Sequence, residues 1–278
     1  MDLEAKYAER PRDIYLAACA EIAQSFFPQG FRYLRSKPRI VRREGDLRDE
    51  ILFASSSRNC IIPPDGRDSA AAALMLYGER NNINFTAENV HDLLQGSVLL
   101  SLTASVYSVQ LGEWRRGQPN PLRTDDYVAG SEIGLLRTAP SLASFNLAPR
   151  TTRQQSIVEA AALAHEVALP FFALFLRPDE LIERLLEKDL PGFWEALTFD
   201  YVLCFGGRQL GLDLLRRRLD ADGELRARFA ELLPRFQTQE WRESATRQRA
   251  QGLPLGGHQE SAGRLAIIAA TYQLHLGE

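Results

Sequence analysis

Lysine is nearly absent: of 33 basic residues only Lys6, Lys37 and Lys188 are lysines, and arginine supplies the rest. A bias this general reads as composition, not as recognition chemistry. Cysteine is scarce too. Cys19, Cys60 and Cys204 lie far apart without a CxxC pair, which excludes a disulfide framework and a cysteine-rich metal site and points to free thiols in a reducing compartment. No GxSxG elbow and no complete HExxH occurs. No apolar run reaches the roughly 18 residues of a bilayer-crossing helix, and the start, MDLEAKYAERPRD, has no apolar leader core. The expectation is a cytoplasmic protein without a membrane partner. A net charge of −3 argues against a surface built wholly for nucleic acid.

What is present is globular patterning, with 45% hydrophobic and 25% charged residues. The strongest period-two signal is Val98–Leu111, VLLSLTASVYSVQL. Leu100, Leu102, Ala104 and Val106 alternate with Ser101, Thr103 and Ser105, as a strand with one buried face requires. The phase then flips to Tyr107, Val109 and Leu111, which predicts a β-bulge aiming the chain toward Trp114.

Before this strand, the pattern predicts a helix over 11–27, ended by Pro28 and Gly30. Three strands of an antiparallel meander follow, at 31–35, 39–43 and 50–56. A loop over 59–68, a strand over 70–77 and a Thr86-capped helix over 87–95 come next. After it, GQPNPLRTDDYVAGSEIG reads as a long surface connection. Helices dominate from Gln154: one to Leu169 broken by Pro170, one from Pro178, one over 206–219, one capped by Asp222, and a last one over about 259–275. The fold class is therefore α+β, an N-terminal helix and antiparallel sheet followed by a mostly helical C-terminal half. Residues 1–111 form the helix-plus-sheet region, 112–153 the connection, and 154–278 a helical region packed on the first as one unit.

Each candidate for chemistry has a structural counterpart. Gly206-Gly207, after the apolar YVLCF and before an amphipathic helix, resembles a phosphate-cradling loop. Leu212-Asp213, however, stand where a Walker loop needs lysine and a hydroxyl. His165-Glu166 begins a zinc-protease motif that Leu169 fails to complete. His165 shares a stripe with Val158, Ala161 and Ala168 and is expected to make one core hydrogen bond. Arg32, Arg35, Arg39, Arg42 and Arg43, interleaved with Phe31 and Tyr33, could form a stacking platform for single-stranded nucleic acid. The acids after them favour a mixed solvated surface. No catalytic residue, cofactor or metal site is assigned.

The order of three short motifs carries a resemblance. Gly30-Phe31 opens an arginine-rich strand after a first helix, Leu111-Gly112-Glu113-Trp114-Arg115 closes the last strand, and Ala168-Leu169-Pro170-Phe171 follows in a helix. Over residues 12 to 205 this resembles a group of uncharacterised bacterial α+β proteins of unknown function, some of which serve as immunity proteins beside secreted toxins. The resemblance implies binding and no catalytic residues. The expected function is a non-enzymatic immunity protein, an antitoxin whose protein partner is a toxin domain. The expected contact is the acidic, aromatic-bearing segment with Trp114, Asp125, Asp126, Tyr127 and Glu132, since aromatics anchor interfaces and carboxylates complement a basic partner. The alternatives are a hydrolase or nucleotide-handling enzyme at Gly206-Gly207, and nucleic-acid binding through the 32–43 arginines.

Overall fold

The computed structural model describes residues 10–57, 59–61, 96–118, 121–250 and 260–276. The expected strand at 70–77, the helix at 87–95 and most of the 59–68 loop lie outside them. The chain divides into two compact units: Met1–Arg43 with Asp49–Ala104 and Ser131–Pro170, and Glu44–Arg48 with Ser105–Gly130 and Phe171–Glu278. These divisions do not follow the 1–111, 112–153 and 154–278 boundaries.

The α+β class is the observed one. Helix α1 (Pro11–Gln24) starts on Pro11 and buries Ile14, Tyr15, Ala18, Cys19, Ile22 and Ala23. A 3-10 turn, Phe27–Gln29, ends at Gly30, whose φ of 82° is a left-handed stop that glycine adopts without strain. Strands β1 (Arg32–Leu34), β2 (Arg39–Glu44) and β3 (Leu47–Ser55) form the expected meander. Strands β4 (Cys60–Ile61) and β5 (Gly96–Ser97) pair antiparallel by themselves. The main sheet runs β1-β2-β3-β6-β7, where β6 is Leu99–Ser108 and β7 is Tyr127–Glu132; β8 (Ser144–Asn146) pairs with β6.

The predicted phase flip does not occur. Leu100, Leu102, Ala104, Val106 and Ser108 are all buried, so the same face stays inward to the end of β6, with Ser105 of the other face buried as well. Val109 and Leu111 instead belong to a helix, α2 (Val109–Gly117), and change phase because the helical period replaces the strand period. Ser108 caps α2 by accepting from the Leu111 N–H at 3.0 Å. Asp46 completes the cap, accepting from Gln110 N–H at 2.7 Å and from the Ser108 hydroxyl. The stretch read as a connection therefore carries α2, β7, a 3-10 turn (Ile133–Leu136) and β8.

Helix α3 (Arg153–Ala173) contains Pro170 without ending there and continues through a 3-10 turn to Leu176. This 24-residue run is long and apolar enough to cross a bilayer, contrary to the expectation that no run is; core helices of soluble proteins meet the same criterion. Its buried stripe within the first unit is Ile157, Ala160, Ala164, Val167 and Ala168, whereas Val158 is 52% exposed. The second unit adds α4 (Pro178–Glu187), α5 (Glu195–Tyr201), α6 (Gly207–Asp220), α7 (Gly223–Phe236), α8 (Gln239–Ala250) and α9 (Ser261–Tyr272). Asp222 caps α7 as expected, accepting from Glu224 N–H at 2.9 Å and Leu225 N–H at 3.1 Å.

Candidate functional site

The segment expected to meet a partner is largely committed within the second unit. Trp114 lies on α2, half-buried, its ring 5.5 Å from that of Tyr272. The next residue, Arg115, is fully buried and organises the surroundings. Its Nε donates to Asp200 Oδ2 at 2.6 Å, and both side chains are inaccessible to solvent. Its Nη1 donates to the carbonyls of Tyr127 (2.6 Å) and Asp125 (2.9 Å), which fixes the approach to β7. Nη2 is buried and meets no acceptor among the described residues. Tyr272, at the end of α9, donates its hydroxyl to Asp200 Oδ1 at 2.5 Å.

Burial drives the Asp200 carboxyl above the ordinary carboxylate range, and the Arg115 charge and the Tyr272 hydrogen bond pull it partly back. Burial likewise pushes the nearby Cys204 thiol up to about 12, keeping it protonated and a poor nucleophile.

The two neighbouring aspartates are also engaged. Asp125 accepts from Arg123 Nη2 at 2.6 Å and lies 3.4 Å from Arg115 Nη1. Burial raises its carboxyl, but the Arg123 hydrogen bond and both arginine charges outweigh that and hold it below the ordinary range. Asp126 pairs with Arg116 at 3.1 Å. A Cβ on Gly112 would come within 2.0 Å of Asp126 Oδ1, so a side chain there would displace the Asp126 carboxylate from its place beside Arg116. Tyr127 packs edge-on against Tyr107 at 5.6 Å, beneath the Arg123 guanidinium. Glu132 belongs to the first unit and accepts from the Ala143 N–H at 2.7 Å. The structure thus brings Trp114, Asp125, Asp126 and Tyr127 together around Arg115, with their charge internally neutralised. Sequence reading missed Arg115, since burial of an arginine leaves no periodic trace; the Ser108 cap was the signal that a helix follows.

Gly206-Gly207 is not built as a phosphate loop. A phosphate loop follows a strand, but the apolar run before it is helical: α5, then a π-helical turn, Val202–Gly206, leading directly into α6. Gly207, with φ of 81°, serves this change of helical pitch. His165 is half-buried and not in the core as expected: it stacks on Phe26 at 3.9 Å and meets Ser25 Oγ at 3.0 Å in a hydrogen bond open to solvent, on a stripe whose Val158 is exposed. Among the described residues no group of three potential metal-ligating side chains converges.

One exposed feature of the first unit is the outward face of β1–β3, although Leu142, Val158 and Phe27 elsewhere in the unit are more exposed than its leucines. Register pairs Arg32 with Val41 and Leu34 with Arg39, and opposed residues share a face. Phe53 N–H bonds to Pro38 carbonyl at 3.0 Å, which sets Leu52 beside Arg39. One row across the sheet therefore reads Leu34, Arg39, Leu52. Strand alternation adds Arg32, Val41, Arg43 and Glu50 to the same face, with Arg39 bonded to Glu50 at 3.0 Å. Leu34, at the end of the edge strand β1, and Leu52, on β3, are 38% and 37% exposed, whereas Val41 and Glu50 on the same face are buried. Phe31 and Tyr33 take the opposite face: Phe31 is buried against Phe26, and Tyr33 packs on Phe53. The aromatic residues expected to interleave with the arginines thus lie behind them.

No family model, curated protein or solved structure matches this chain.

Proposed function

We propose that the protein is a non-enzymatic, cytoplasmic binding protein, an immunity protein that neutralises a toxin domain by covering its active site. The observation that carries the reading is the outward face of β1–β3. Leu34 and Leu52 are left to solvent on either side of Arg39 and flanked by Arg32 and Arg43. Aliphatic centres bordered by arginine are the usual anatomy of a protein interface. The contact is accordingly assigned to this face. Asp125 and Asp126 have little charge left to offer a basic partner, being held by Arg115, Arg116 and Arg123.

The test is co-expression of the full chain with the product of the adjacent reading frame, reading growth rescue and co-purification. The wild-type chain and the Asp125→Ala/Asp126→Ala variant are expected to rescue, and Leu52→Asp to fail while keeping its circular dichroism spectrum. Absence of binding by the wild-type chain overturns the function. Rescue by Leu52→Asp, or its loss in the aspartate variant, overturns the assignment of the face.

A further inference from the structure

The outward face of β1–β3 also carries information about what covers it, and this inference rests on the binding reading above. Across residues 10–43 eight arginines and lysines stand against only Asp13 and Glu21. Over the described residues of the first unit the balance is eleven basic to seven acidic, a surplus of four, while the whole chain has a net charge of −3. The basic character is therefore local.

It is also largely uncompensated. Arg42, on the inner face, is bound by Asp49 at 2.6 Å, and Arg39 by Glu50. Arg32 and Arg43, both exposed, have no carboxylate partner among the described residues, and Arg39 Nε is buried without an acceptor. At the turn between β1 and β2, Arg35 joins Arg10 and Arg12 along an open groove whose one acid is Asp13, extending the same sign of charge.

We infer that this face docks an acidic polypeptide surface, carboxylates meeting the exposed Arg32 and Arg43 around an aliphatic contact with Leu34 and Leu52. The apolar part separates this partner from a nucleic acid, whose bases need aromatic faces to stack on. The rings nearest in sequence, Phe31 and Tyr33, are turned to the core side. The two leucines flank Arg39 at adjacent-strand spacing, roughly 10 Å apart. That separation suits alternate side chains of a facing segment in which aliphatic and acidic residues mingle. The arginines would contribute mainly orientation and encounter rate, the leucines the desolvated centre.

The test uses the full chain with three probes: a short peptide alternating glutamate and leucine, its lysine–leucine counterpart, and single-stranded oligo-dT. The glutamate peptide is expected to bind with an affinity that weakens as salt is raised and falls about tenfold or more in Arg32→Glu/Arg43→Glu. Oligo-dT binding as tightly as the glutamate peptide would overturn the inference, as would equal binding of the two peptides or an Arg32→Glu/Arg43→Glu variant that binds unchanged. In the rescue assay, loss with Leu52→Asp but not with Arg32→Glu/Arg43→Glu keeps the binding face and removes its acidic partner. Loss with both supports the two together.

Discussion

Replacing Arg115 by methionine is the most informative perturbation of the second unit. The side chain is fully buried, and its loss strands three acceptors: Asp200 Oδ2 and the carbonyls of Asp125 and Tyr127. Removing one partner of a buried ion pair costs about 3–5 kcal/mol. At about 2–4 °C per kcal/mol for a chain of this size, the melting temperature should fall by roughly 6–20 °C. Asp200→Leu should cost a similar amount, since it leaves Arg115 charged and Tyr272 without its acceptor. Arg115→Met/Asp200→Leu removes both charges together. The double variant should therefore be more stable than the two single losses added, with a coupling of about 1–3 kcal/mol.

The pH dependence gives a second reading of the same pair. Burial sets the folded Asp200 carboxyl above its unfolded value, so the folded state holds the proton more tightly, and stability falls as pH rises through the folded midpoint. Without Arg115 to oppose burial the midpoint rises further, so Arg115→Met should regain stability on acidification toward it. Thermal melts followed by circular dichroism at several pH values measure all of this. A shift under about 3 °C for Arg115→Met, or strictly additive losses in the cycle, would refute the account of Arg115 as the buried tie of this region.

Two further outcomes follow from individual contacts. Asp222→Ala removes the acceptor of two N–H groups at the start of α7 and should lower stability by about 1 kcal/mol in urea titration; no change would mean the cap is energetically idle. Burial against Phe26 lowers the His165 imidazole, so the unfolded chain takes up its proton first, and stability should decline as pH drops from neutrality toward the folded midpoint. His165→Gln should flatten that decline, and an NMR titration midpoint at or above about 6.5 would contradict it.

Much of the architecture was legible because it rests on local chemistry. Pro11, Gly30 and Asp222 mark element ends through φ restriction, left-handed backbone and an accepting carboxylate, and each does so in the structure. Alternation gave β6 its buried face, and the strand–turn–strand grammar gave the β1–β3 meander. Local reading failed where two periods abut: Tyr107, Val109 and Leu111 mimic a continuing strand, although Ser108 has already begun a helix. At YVLCF the phosphate-loop alternative falls, because the apolar run before Gly206-Gly207 is helical, as the helical reading of the chain after Gln154 expects.

The sequence by itself determined the class of fold, the element ends at Pro11, Gly30 and Asp222, and the concentration of arginine in residues 32–43. Tertiary structure alone decided what those residues do. It carried Arg115 to Asp200, 85 positions away, and neutralised the aspartates that sequence offered to a partner. It also turned Phe31 and Tyr33 inward while leaving Leu34 and Leu52 in solvent. The physical reason is that charge and exposure depend on which distant groups come within hydrogen-bonding distance, and no local period encodes that.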